Sequence, residues 1–302
     1  MLDFIHWPAR NITEEGERMA SMEAQAAARA TARDEGMALR ARIRSGLFAD
    51  QTAGAAPSCV QSNLVILPAF LADDFQRYCE ANPKPCPLLA MSRPGDPALP
   101  TLAEDFDLRT DVPLYRVYRH GELERETTDI RDLWEDDFVG FVLGCSYSFE
   151  AALLADGIPL RHIERDMGVP MFISTIETVP SGPFAGPMVV SMRPMTLENA
   201  HRAAAISAQF ERAHGAPVQI GDAPAIGVAD VMAPDFGEAV PLAEGEIPVF
   251  WACGVTPQMA IKQARPDICI THAPGFMVIS DIAASELAAG RGPEISSAPQ
   301  SN

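Results

Sequence analysis

The segment Gly144-Cys145-Ser146-Tyr147-Ser148-Phe149-Glu150 places a thiol, two serine hydroxyls and a carboxylate in one short stretch. Those groups suit proton transfer to and from a substrate and hydrogen bonding to its oxygens. A second segment, Cys253-Gly254-Val255-Thr256-Pro257-Gln258, sets another thiol beside a glycine, a hydroxyl and an amide. A thiol at the positive end of a helix is expected to lose its proton more readily. Two arginines stand in strand-like runs, Arg193 in Ser191-Met192-Arg193-Pro194 and Arg116 in Tyr115-Arg116-Val117-Tyr118. Either can clamp a carboxylate with two parallel hydrogen bonds or take part in an ordinary ion pair. In Thr271-His272-Ala273-Pro274-Gly275, His272 precedes a tight Pro-Gly turn, where it can serve as an acid/base or as a structural hydrogen-bonder.

The surrounding pattern says what must position these groups. The apolar run 138–143 has strand length and leads through the first turn into a helix ending near residue 154. The run 247–252 leads through the second turn into a helix to about residue 262, with Thr256 as N-cap and Pro257 at the first helical position. Strand, small polar turn, helix is the α/β grammar that puts ligands beside helix N-termini. Between the two units, 169–178 and 187–193 read as strands. Thr196 caps a helix over 197–213, and 216–220 reads as a further strand. The expected fold is therefore α/β: a larger sandwich-like α/β domain (46–160 plus 233–290) with an inserted small two-layer α+β subdomain (161–232). A helical arm is expected at 1–45, with Gly36 as a break, and a disordered tail at 291–302. The stretch 62–68 reads as a short buried strand, and 70–82 as a helix with Phe70, Phe75 and Tyr78 on one face. Twelve acidic against five basic side chains in 104–137 mark a solvated surface.

Composition narrows the function classes. Lys and Arg number 23 against 41 Asp and Glu, so the formal charge of −18 disfavours nucleic acid and anionic membranes as partners. An anionic substrate then needs a local cationic pocket. Lys84 and Lys262 are the only lysines, which leaves most anion binding to arginine. The six cysteines form no C-x-x-C pair and read as free thiols, most of them buried as small apolar residues. Glycine-rich phosphate loops and H-E-x-x-H are absent, and the C-x-x-H pair Cys269 and His272 would face opposite sides of a strand. No metal or cofactor is expected. With no apolar run long enough to span a bilayer and an acidic residue at Asp3, the chain reads as cytoplasmic, and a homo-oligomer is expected.

Six strings are familiar together: Asn63-Leu64-Val65-Ile66-Leu67-Pro68, Asn82-Pro83-Lys84-Pro85-Cys86-Pro87, the stretch from Gly144 to Glu150, Val189-Val190-Ser191-Met192-Arg193-Pro194, Trp251-Ala252 with the second turn, and Thr271-His272-Ala273-Pro274-Gly275. As a set they resemble the bacterial "putative hydro-lyase" family, whose domain also forms part of the mitochondrial D-glutamate cyclase. The resemblance runs from about Arg42 to Asp281. It implies a two-part α/β enzyme and carries no catalytic residues over. The family pattern has histidine where this chain has Gln219 and Phe276, which implies altered or lost chemistry if those histidines are its acid/base groups.

The expected enzyme is a hydro-lyase acting on a small amino or hydroxy acid, with D-glutamate cyclase-like dehydration as one form. Arg193 is the expected carboxylate clamp, with Arg116, Ser146, Ser148, Thr256 and Gln258 as further substrate contacts. Glu150, with its pKa raised by an apolar pocket, is the expected base, and His272 or Cys145 the acid. One alternative uses Cys145 and Cys253 as opposed thiol bases of a cofactor-independent racemase. The other is a carboxylate-binding protein without turnover.

Overall fold

The computed structural model describes residues 11–288, with side chains from Met19 onward; the tail expectation lies outside that range. Helix α1 (Asn11–Arg44) runs unbroken through Gly36. The glycine is there because strand β11 (Val278–Ala283) crosses so close that a Cβ would meet the Ser280 carbonyl oxygen at 2.8 Å. The second half of the helix is docked through Ala32, Leu39 and Ile43. The fully buried Arg40 donates to Ile279 O (3.1 Å) and pairs with Asp105 (2.7 Å) and Asp281 (2.8 Å).

The larger sheet is built on β1 (Cys59–Pro68), whose ten residues are all buried. Its order is β2 (Leu88–Met91), β5 (Phe138–Gly144), β1, β10 (Cys269–His272), β3 (Tyr115–Arg119) and β4 (Glu122–Thr127), with β11 pairing the first part of β1. A strand buried at every position must be covered on both faces. One face carries α2 (Ala72–Ala81) and α6 (Val255–Ala264), the other α3 (Tyr147–Ala155). In α2, Phe75 and Tyr78 are buried as expected, but Phe70 precedes the helix and is exposed.

The smaller sheet runs β6 (Met171–Glu177), β7 (Pro187–Thr196), β9 (Glu246–Ala252), β8 (Gln219–Ile220). Beyond the short helix α4 (Arg161–Glu164), helix α5 (Leu197–Ser207) follows β7 and is capped by Thr196, whose Oγ1 accepts from Asn199 N at 3.3 Å. It stops at Ser207, six residues before the expected end, and gives way to a short turn that closes on His214 in the left-handed region. Strand β9 pairs with β7 along its whole length and with β8, so the strand read as part of the larger unit is hydrogen-bonded in the smaller sheet. Strand pairing among the described residues is antiparallel throughout. No helix among the described residues is long and apolar enough to cross a membrane.

Candidate functional site

The two strand-turn-helix units converge on Asn63, which follows the polar pair Gln61 and Ser62 in the buried strand β1. Its Nδ2 donates to the Gly144 carbonyl at the end of β5 (2.8 Å). Gly254, in the turn after β9, lies flat against the same amide, and a side chain there would collide with it. Gly144 is equally constrained, because a Cβ would strike the Arg212 carbonyl. Both turns therefore have a glycine where backbone or amide approaches too closely for any side chain.

Behind the turns lies a buried ion cluster. Arg193, 1% exposed on β7, donates Nε to Glu150 Oε1 (2.9 Å), Nη2 to Ser146 Oγ (3.0 Å) and Nη1 to Ser191 Oγ (3.1 Å). Its guanidinium lies over the faces of two neighbouring rings, Phe149 (5.5 Å) and Trp251 (5.4 Å), which favours a cation further. His162 Nε2 is 3.2 Å from the same Glu150 oxygen. The expected substrate clamp is thus already engaged, and its partner is the expected base. Burial alone would raise the pKa of Glu150, but Arg193 and His162 outweigh it and hold the carboxyl below its usual range. Glu150 therefore ties α3 to the smaller sheet as a fixed anion, a correction to its role as a base with raised pKa.

Three other expected groups are also committed to the scaffold. Nδ1 of His272 accepts from Leu64 N (3.1 Å), and burial pushes the ring down to about 4, so it is neutral and not poised near 6.5. Thr256 does not cap α6, which begins one residue earlier. Its Oγ1 accepts from Val189 N (3.0 Å) and donates to Val189 O (3.2 Å), pinning α6 to β7. The Ser148 hydroxyl donates to Gln61 O (3.4 Å), and Ser146 caps nothing because it serves Arg193.

The thiols are placed differently. Cys145 and Cys253 stand at matching positions, each at a strand-to-helix junction with its sulfur near the backbone N–H two residues on, that of Tyr147 or Val255. Burial pushes Cys145 up to about 12, with the charge of Cys253 adding to it. Burial also raises Cys253, whereas the amides of Gly254 and Val255 and the charge of Arg193 pull it back. The expected net lowering at the helix end is therefore corrected: desolvation wins over the helix N-terminus. Among the six cysteines only Cys253 is partly exposed, and its sulfur lies 3.5 Å from Met171 Sδ.

Met171 also lines a cavity of about 840 Å³. Its walls come from α6 (Val255, Gln258, Lys262), from β3 and β10 (Arg116, Tyr118, Thr271), from Tyr147 at the start of α3, and from the segments 168–169 and 235–237. Arg116 is also bonded through Nε to its cross-strand neighbour Glu126 (2.8 Å). Burial pushes the phenols of Tyr118 and Tyr147 above their ordinary range, so both stay protonated as donors. Arg116 and Gln258 are thus on the cavity. Cys145, Ser146, Glu150, Arg193 and Cys253 gather behind its wall at Tyr147, Met171 and Val255. Gln219 lies on β8 with Nε2 bonded to Asp222 O (3.0 Å), and Phe276 follows the cavity residue Gly275.

Sequence reasoning passed over Asn63, His162, Tyr118, Tyr147 and Lys262 as site residues. Asn63 had a signal, an amide inside a buried apolar strand that must find partners. His162 had none.

Residues 139–281 match the D-glutamate cyclase family. A protein of Verminephrobacter eiseniae named "Putative hydro-lyase" is 59% identical over 80% of this chain and 89% of its own length. Similarly named proteins are 56% identical in Bordetella petrii (84% of this chain, 97% of theirs) and 57% identical in Jannaschia sp. (82% and 92%). A solved nitrogen repressor-like protein of Methanococcus jannaschii aligns with 78% of this chain and 90% of its own at 11% identity and a TM-score of 0.35, too slight a likeness to bear on fold or function.

Proposed function

Because the chain belongs to the hydro-lyase family of these relatives and carries the D-glutamate cyclase region, we propose that it removes water from a small amino or hydroxy acid held in the cavity of about 840 Å³. One observation carries this reading: α3 and α6 both begin on that cavity, at Tyr147 and Val255, and Arg116 and Lys262 stand on the same walls. The start of a helix is its positive end and favours a carboxylate through the dipole, even where its N–H groups are engaged, as those of Ser148, Phe149 and Thr256 are by the carbonyls of Cys145, Ser146 and Cys253. Glu122 and Asp235 share those walls with the two cations, so it is the two helix ends added to Arg116 and Lys262 that favour an anion there on a chain of formal charge −18.

The chemistry follows from what remains free. In a dehydrating cyclisation, the substrate's own amine attacks its distal carboxyl carbon. The new C–N bond forms, the C–OH bond breaks, and the hydroxyl leaves as water with a proton from the amine. The protein must fold the substrate and donate to the departing oxygen. Tyr118 and Tyr147, kept protonated, suit that donation, and Gln258 adds an amide. Arg116 and Lys262 are assigned to the substrate carboxylate in place of the saturated Arg193.

A thermal-shift panel of D- and L-glutamate, 5-oxoproline and small hydroxy acids tests the reading. A ligand at a hundred times its Kd adds about 2.7 kcal/mol of stability, enough for a rise of several degrees in Tm. At least one carboxylate is expected to give that rise, and Arg116→Gln with Lys262→Gln to weaken it. A panel with no shift anywhere would reject the cavity as a carboxylate site.

A further inference from the structure

The matched placement of two thiols points to a second activity. We propose that Cys145 and Cys253 form a two-thiol pair that exchanges the α-proton of the bound acid, so that the same site interconverts its mirror-image forms. The inference rests on the reading that a small carboxylate occupies the cavity.

The geometric argument begins with the two junctions. β5 delivers Cys145 to the start of α3, and β9 delivers Cys253 to the start of α6. The two turns meet at one amide, bonded to Gly144 on one side and packed against Gly254 on the other. Each sulfur is near the amide of the residue that lines the cavity on its side, Tyr147 or Val255, and each senses the charge of Arg193. The partly exposed Cys253 touches the cavity wall at the Met171 thioether, an unbranched and readily moved side chain. Inverting a carbon centre without a cofactor needs one base and one acid on opposite faces, and each junction, delivered by a different sheet, is assigned one of them.

Their surroundings divide the roles. Cys253 is the partly exposed member of the pair, and two amides and Arg193 offset part of the rise that burial imposes on its thiol, so it is the one assigned to start as thiolate. Cys145 is buried and stays a thiol. The Cys253 thiolate takes the α-hydrogen as a proton, and the C–H electron pair moves into the carboxyl group, whose charge the helix starts and Arg116 receive. Cys145 then delivers its proton to the other face of the carbon. The reaction ends with Cys253 protonated and Cys145 as thiolate, and the return reaction uses them in exchanged roles. No electron is gained or lost overall, and no co-reactant is needed.

The test is proton NMR in D2O with an acid that the thermal-shift panel has shown to bind, each enantiomer separately. The wild type is expected to lose the α-proton signal and to convert one enantiomer into the other. Cys253→Ser should abolish wash-out from the enantiomer it faces and leave a slower exchange from the other, with Cys145→Ser doing the reverse. Cys→Ala variants at both positions, checked by melting temperature, separate chemistry from folding. A bound acid whose α-proton stays put, or wash-out that survives Cys145→Ala/Cys253→Ala, overturns the two-thiol pair and leaves the carboxylate reading intact. A panel in which no acid binds overturns both.

Discussion

Glu150→Ala is expected to cost about 3–5 kcal/mol of folding stability, because it strands a buried guanidinium without a counter-charge. The carboxylate is 4% exposed, and it shares one oxygen between Arg193 Nε and His162 while tying α3 to β7. Ser146 and Ser191 are neutral acceptors, and the two flanking rings soften but do not replace a full negative charge. By contrast, Arg116→Gln removes a partly exposed pair with Glu126, for which about 0–1 kcal/mol is the ordinary range. Chemical denaturation of the two variants beside the wild type measures the difference. A Glu150→Ala protein as stable as the wild type, yet without turnover, would restore the carboxylate to the role of catalytic base that its ion pairs argue against.

Acid is expected to weaken the fold well before carboxylates protonate. His214 and His272 are both buried, and burial pushes each ring down to about 4. His214 is held at Nδ1 by the Lys84 carbonyl (2.8 Å), with the charges of Lys84 and Arg193 also opposing a proton. His272 accepts from Leu64 N and faces Arg116. In the unfolded chain both titrate near 6.5, so the unfolded state takes up two protons that the folded state refuses. Their contribution is fully present above about pH 6.5 and is lost as pH falls toward the folded value near 4. With two protons the slope approaches about 2.7 kcal/mol per pH unit. The lowered pKa of Glu150 acts in the same direction but only below about pH 4.5, its unfolded value, so the window from about 6.5 to 5 reports the histidines. Urea midpoints across that window measure the slope, and His272→Gln should roughly halve it. A flat profile would mean that one or both rings reach water or a counter-charge.

The elements that carry the site were largely legible. Apolar runs ending in Gly144 and Ala252, each followed by a small polar turn, forecast both strand-to-helix junctions, because such runs need burial and such turns accommodate a helix start. The buried strand before Pro68 and the cap at Thr196 were equally plain. Partnership was not legible. An apolar run at 247–252 says that the strand is buried but not which sheet buries it, and pairing with β7 moved it into the smaller one. Local pattern cannot show that Arg193 and Glu150, 43 residues apart, meet and neutralise each other. That contact engages both expected groups with each other and leaves Arg116 and Lys262 as the cations on the cavity. The thiol at the start of α6 misled for a related reason: the amides act as expected, but desolvation outweighs them.

Mass spectrometry of each acid after incubation with the protein examines dehydration itself. The account predicts that an acid which raises the melting temperature yields a product lighter by one water, and that Arg116→Gln with Lys262→Gln slows its appearance. Acids that bind and return unchanged, or a product formed at the wild-type rate when both cations are gone, would contradict it.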